Sequence, residues 1–190
     1  MSVGELCAGL LLGEGANAVE RVLESSRFVV KNEKDNPDIR TTAQALEDAY
    51  RAGENIREVR QPSCRVSQEP SGTIGQGLRL SFAPLSRHIR KWEDFLGPND
   101  KGVRVEAQDK HLWLGFDCVS SRAGSTQEIP LRISVHFLEH WANSKGSAVL
   151  AQDYRTITHG AALAVAKELG CVNDGGLPAQ AAGLPEPDAG

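Results

Sequence analysis

Between residues 103 and 170 the spacing of the apolar residues changes once, and that change constrains the fold more than any other feature of the chain. Val103, Val105 and Ala107 alternate with Arg104 and Glu106. After the polar break Gln108-Asp109-Lys110, residues Leu112, Leu114, Phe116 and Cys118 alternate with His111, Trp113, Gly115 and Asp117. A period of two is the pattern of a strand with one buried and one wet face, and two such runs joined by a short polar link predict a hairpin. Residues 120–127, rich in Ser, Gly and Thr, predict a loop. Ile129, Leu131, Ile133 and Val135 form a third alternating run. Pro130 has no N–H to give to a ladder, so this strand is either an edge or has the proline near its start. From 137 the spacing turns helical: Phe137, Leu138 and Trp141 fall within about 100° of one another on a helix of 3.6 residues per turn. Gly146 closes that short helix. A longer one over 151–169 carries Tyr154, Ile157, Ala161, Ala164 and Val165 as its stripe, with Gly170 suited to the left-handed cap. Gly160 in its interior costs about 1 kcal/mol relative to Ala, or else marks close approach to another element.

The remainder supplies more of both kinds of element. Ala18, Val19, Val22 and Leu23 predict a helix reaching about Ser26, broken near Gly13 and Gly15. Residues 27–31 predict a strand. Thr41 or Thr42 can cap a helix over 43–52, which Gly53 interrupts and 54–59 can continue. Residues 64–67 and 78–82 predict strands. Residues 84–96 read as a helix, with Pro84 in its first turn, Gly97-Pro98 at its exit and Leu85, Ile89, Trp92 and Leu96 as its stripe. After Asn173 the chain is Gly, Pro and Ala with two acids, a composition that predicts disorder. The expected fold is α+β: an antiparallel sheet of about five strands, helices packed on one face, and a disordered C-terminal tail. Residues 1–172 form one domain, with 1–60 as a mainly helical arm and 61–172 as sheet plus helices; 173–190 form the tail.

Of the 190 residues, 40% are hydrophobic and 24% charged, enough apolar material for a core. A net charge of −4 does not by itself argue for nucleic acid or membrane, so any basic surface has to be local. Cys7, Cys64, Cys118 and Cys171 are too widely spaced for a zinc signature. Their even number permits a disulfide framework. The run 6–12 is apolar but has no basic residue before it and is far short of the roughly 20 residues that span a bilayer, so neither a signal peptide nor a membrane segment is expected. On that basis the cysteines are expected reduced, in a cytoplasmic protein with no membrane partner.

Few residues suggest chemistry. His136-Phe137-Leu138-Glu139-His140 fits H-x-x-E-H, in which two His one helical turn apart hold zinc and the Glu activates water. On the expected helix His136, Glu139 and His140 lie opposite the Phe137/Leu138/Trp141 face and point to solvent, and a third ligand is wanting. Arg87, Arg90 and Lys91 form the densest basic cluster. Cations in the first turns of a helix oppose its dipole, so helix stability does not account for them. With Arg79 they form a candidate surface for phosphates or an acidic partner. Trp113 stands on the face opposite Leu112, Leu114 and Phe116. Unless a helix covers it, it makes an aromatic patch with Arg104 and Arg132; with several helices available, a covering helix is the expectation. The glycine-rich stretch 72–77 lacks the spacing and lysine of a phosphate loop and reads as a hairpin connection. Cys118, near His111 in the hairpin, falls in the inward phase, where a thiol behaves as a small apolar group.

No polar residues converge on a catalytic motif, which favours a non-catalytic protein-interaction module over an enzyme. An adaptor or inhibitor of bacterial or phage type, acting on a macromolecular partner and using no cofactor, is the first expectation. Its partner-binding residues are Arg79, Arg87, Arg90, Lys91 and Trp113, and its partner is a protein of acidic character. The alternatives are a small metal-dependent hydrolase using His136, Glu139 and His140, and a nucleic-acid-binding protein using 87–91.

Overall fold

The computed structural model describes residues 2–29, 36–53, 63–68, 77–85, 102–140 and 147–187. They contain the helices α1 (Val3–Leu6), α2 (Glu14–Leu23), α3 (Ile39–Ala52) and α4 (Ser147–Leu169). The strands are β1 (Phe28–Val29), β2 (Ser63–Gln68), β3 (Gly77–Leu85), β4 (Arg104–Gln108), β5 (His111–Cys118) and β6 (Leu131–Glu139). All six join one antiparallel sheet in the order β1-β2-β3-β6-β5-β4. The class is the expected α+β, with one strand more than expected.

The main correction concerns β6. The short helix expected around 137–141 does not form over its described part, because the inward positions that start at Leu131 continue every second residue to Glu139. Leu131, Ile133, Val135, Phe137 and Glu139 are all buried. Phe137 sits between Leu80 on one side and Leu112 on the other. A helix there would forfeit backbone hydrogen bonds to two neighbouring strands at once. The strand is therefore central rather than an edge, and Pro130 stands immediately before it, where no ladder bond is lost.

The helix expected over 84–96 is corrected at its first two residues. Pro84 and Leu85 complete β3, with Pro84 opposite Ile133. Among the described residues the registered pairs between β2 and β3 run no further than Ser63 opposite Ser81, so no described β2–β3 ladder bond is lost at the proline. Residues 86–96 lie outside the described residues, as does the expected continuation at 54–59.

The β4–β5 hairpin forms as read, closed by Asp109 and Lys110 between the paired Gln108 and His111. Asp38, not a threonine, caps α3. Its carboxylate accepts from the Thr41 N–H at 2.7 Å, which starts the helix at Ile39, four residues before the expected start. Gly53 ends it in the left-handed conformation.

The described helices cover one face of the sheet. Leu78, Leu80 and Phe82 of β3, Leu112, Leu114 and Phe116 of β5 and the inward residues of β6 meet α3 and α4 there. From the N-terminal segment, Leu10, Leu11, Val19, Leu23 and Leu46 belong to the same core. Helices α2 and α4 pack closely, tied by an Arg21–Asp153 ion pair at 2.7 Å. A Cβ placed on Gly160 would lie 3.9 Å from the Gly15 Cα, so Gly160 does mark a close approach.

The tail expected to be disordered from Asn173 is packed through Pro187. Leu177, Ala181 and Leu184 are buried, and two 3-10 turns, Val172–Gly176 and Ala181–Gly183, shape the path. Arg155 of α4 donates to the carbonyls of Leu184 at 2.8 Å and Pro185 at 3.1 Å. The His159 ring nitrogen donates to the Pro178 carbonyl at 2.7 Å. Backbone hydrogen bonding to a neighbouring helix replaces the apolar content that the composition lacks.

The expectation of reduced cysteines is overturned. Cys7 is joined to Cys64 and Cys118 to Cys171, with Cα–Cα separations of 5.7 and 5.0 Å. The first bond ties the end of α1 to β2, and the second ties the end of β5 to the residue after the α4 cap. Each links the helical layer to the sheet. Among the described residues no helix is long and apolar enough to cross a membrane.

Two predictions follow from this packing. The bonds span 57 and 53 residues, and loops of that size constrain the unfolded chain by about 4 kcal/mol each in the chain-entropy account. Reduction, or paired Cys→Ser replacement, should lower the urea midpoint markedly; an unchanged midpoint would refute the pairing. At Gly160 the 3.9 Å clearance admits a methyl group but nothing larger. Gly160→Ala should therefore stabilise by up to about 1 kcal/mol through helix propensity, while Gly160→Leu should destabilise by forcing α2 from α4. Thermal melts of the two variants distinguish these signs.

Candidate partner-binding face

On the sheet face away from the described helices, the registered pairs lay out two rows. One row runs Glu106, Trp113, His136 and Ser81; the next runs Gln108, His111, Leu138, Arg79 and Arg65. Directly opposite residues of antiparallel strands point to the same side, so each row places its side chains together. The covering helix expected over Trp113 is not found among the described residues. Trp113 is half-buried, as are His111, His136, Leu138 and Arg79, whereas Arg65 and His140 are exposed. Ala83, Arg104 and Ser134, at the other end of this face, are buried. The accessible surface is thus the end carrying the rings, Arg65 and Arg79.

The three rings are nearly parallel. Trp113 lies 4.7 Å from His136 between centroids with 1° between planes, and His111 lies 5.2 Å from Trp113 at 9°. His111 Nδ1 and His136 Nε2 are 2.9 Å apart, with ring centroids at 5.2 Å. That is the geometry of two imidazoles hydrogen-bonded edge to edge, one nitrogen donating and the other accepting. Burial, with His111, Arg79 and His140 nearby, pushes the His136 pKa down to about 4. His140 is lowered by burial and then by Arg79, Arg65 and His111. Arg79 is itself lowered by burial and by Arg65.

The H-x-x-E-H residues part company on a strand. His136 and His140 stand on the outer face, while Glu139 turns inward, with 3% of its surface exposed. Tyr154 of α4 donates its hydroxyl to Glu139 Oε2, and burial raises the Glu139 carboxyl pKa. The one-turn helical spacing that the zinc reading requires is absent. Among the described residues no group of three or more His, Cys, Asp or Glu is placed to hold a metal ion. Cys118 is not a thiol but half of a disulfide, and it lies at the far end of β5 from His111.

Of the residues expected at a binding site, Arg79 and Trp113 fall on this one face. Arg87, Arg90 and Lys91 lie outside the described residues. Arg104 and Arg132 do not join Trp113: Arg104 is 4% exposed, and Arg132 pairs with Asp117 at 3.3 Å. The members that sequence reasoning missed are His111, His136 and Arg65. His111 and Trp113 are two apart on a strand and so share a face, a signal that was present. His136 joins them only once residues 136–140 are known to continue β6. A cleft of about 230 Å³ near this end, lined in part by Asp109, His111 and Tyr154, is smaller than usual small-molecule pockets, which run from about 300 Å³.

The His136 shift makes stability depend on pH. Between about 6.5 and about 4 the unfolded chain takes up a proton that the folded one refuses, so stability falls as pH falls through that window. For a partly solvated ring the effect is on the order of 1 kcal/mol. The His136→Phe variant keeps a ring but cannot titrate, and should lose less stability than the parent between pH 7 and pH 4.5. Comparing the two by urea unfolding isolates His136 from Glu139, whose raised pKa works in the opposite direction. Parallel pH profiles would refute the assignment.

Compared with known proteins, the chain matches no family model, no curated protein and no solved structure.

Proposed function

We propose that the protein is a non-catalytic interaction module that docks an acidic segment of a partner protein on the open end of its outer sheet face. One observation carries the reading: a half-buried tryptophan stacked in parallel with two histidines, next to a half-buried arginine, on a face that no described helix covers. Aromatic and arginine side chains that already sit in fixed positions are the usual anchors of protein interfaces, because little side-chain entropy remains to be lost on binding. The neighbouring cations are Arg65 and Arg79, so complementarity favours a negatively charged partner. The two disulfides favour an oxidising compartment over the cytoplasm.

The test is to purify the partner from the native host with the disulfides intact and measure its affinity by calorimetry. Trp113→Ala and Arg79→Glu should each weaken binding at least tenfold, about 1.4 kcal/mol, while Arg40→Glu on α3 should leave it unchanged. A partner that binds all three variants like the parent would overturn the reading. If the captured partner is a nucleic acid, with affinity falling steeply with salt, the protein reading gives way to the nucleic-acid one.

A further inference from the structure

We infer that Arg65 and Arg79 together form a binding site for an oxyanion: a carboxylate, phosphate or sulfate group. Four observations on three adjacent strands converge there. Arg65 of β2 and Arg79 of β3 are direct register partners, so their side chains leave the sheet on the same side. Like charges placed directly opposite destabilise a sheet, and a chain has no structural reason to set two guanidinium groups there. Neither is neutralised from within: among the described residues no carboxylate pairs with Arg65 or Arg79. By contrast Arg132 meets Asp117, and Arg155 meets two carbonyls and Glu186.

The Arg79 Nε is enclosed and has no hydrogen-bond partner. A buried donor left unmade costs about 1–3 kcal/mol, which a bound acceptor would recover. A guanidinium presents its donors as a planar fork that matches a carboxylate or phosphoryl group two oxygens at a time. Arg79 can supply such a fork from within the sheet surface and Arg65 a second from its exposed rim.

The surrounding groups make the site proton-linked. His136 and His140 of β6 both feel the field of Arg79, and His140 that of Arg65 as well. His111 of β5 is hydrogen-bonded to His136. Among the described residues the acid registered on this side is Glu106 of β4, opposite Trp113, while Asp109 and Lys110 of the β4–β5 turn act on the inward Glu139. An anion held between the two arginines reverses the sign of the nearest charge, so His136 and His140 take up protons more readily once it is bound. By linkage, anion affinity rises as pH falls.

This inference rests on the docking reading in one respect: the oxyanion is taken to be the group by which the partner's acidic segment is anchored. It is tested on the whole protein with sulfate, which stays doubly charged between pH 7.5 and 5.5, with acetate as the carboxylate probe. The readouts are the ¹⁵N-detected Arg Nε–H resonances and calorimetry in buffers of different ionisation enthalpy. Sulfate should shift the Arg79 Nε–H resonance saturably, bind several-fold more tightly at pH 5.5 than at 7.5, and take up protons on binding. Sulfate binding alone would mark a phosphate- or sulfate-type ligand, and binding of both probes a carboxylate-type one. Arg65→Gln, a change at an exposed position, should weaken sulfate at least fivefold without altering the melting temperature; Arg79→Lys should keep part of the affinity. An Arg79 resonance that does not move, or a shift that survives Arg65→Gln unchanged, would overturn the site. Loss of the anion effect with partner binding still sensitive to Trp113→Ala would sink this inference alone. Sulfate binding with a partner indifferent to this face would sink the docking reading alone.

Discussion

The double pairing of β6 is what the rest of the structure depends on. With β3 on one side and β5 on the other, the strand leaves little backbone unpaired and divides its side chains cleanly between two faces. Every inward residue from Leu131 to Glu139 goes to the helices, and Ser134, His136 and Leu138 go to the opposite side. Because the side-chain period of a strand is two, a slip of one residue would send Phe137 outward and His136 into the core. The inward run of Leu131, Ile133, Val135 and Phe137, all fully buried, opposes such a slip. The ring arrangement on the outer face is thus fixed by hydrophobic packing on the inner one.

That dependence explains what could be read from the sequence. Elements whose inward-phase residues are all apolar, β4 and β5, were legible to within a residue, and so was the hairpin between them. The C-terminal end of α4, whose stripe and terminal glycine agree, was legible too, although the helix starts at Ser147, four residues before the expected start. The end of β6 was misread because two residues broke the pattern. Glu139 is a carboxylate in an inward position, and Leu138 is apolar in an outward one. A buried Glu is rare, and here it depends on Tyr154, 15 residues on and in another element. No local pattern announces a hydrogen bond of that kind. The packed C-terminal segment escaped notice for the same reason: Arg155 and His159 anchor it through backbone carbonyls, which sequence composition does not register.

The cysteines illustrate a different limit. Four cysteines at wide spacing allow three pairings or none, and spacing alone does not choose. Topology does: β2 brings Cys64 beside the end of α1, and the cap of α4 turns Cys171 back onto the last residue of β5. Both bonds join layers that packing already holds together, which is where a crosslink least disturbs the native geometry.

The candidate site was legible in its parts and hidden in its assembly. Arg79 and Trp113 could be singled out as a cation and an exposed-phase aromatic. Arg65 and His111 belong beside them only because the strand order puts β2 and β5 on either side of the β3–β6 pair. On the helical reading, His136 and His140 were potential metal ligands. On the strand they become members of a cationic surface, and Arg79 nearby disfavours a second positive charge such as a metal ion. The same residues thus point to opposite ligands according to whether their spacing is 3.6 or 2, and the backbone pairing of a single strand decides which. An anion suits the field that the arrangement creates, since it alone would relieve both the opposed guanidinium groups and the depressed histidines.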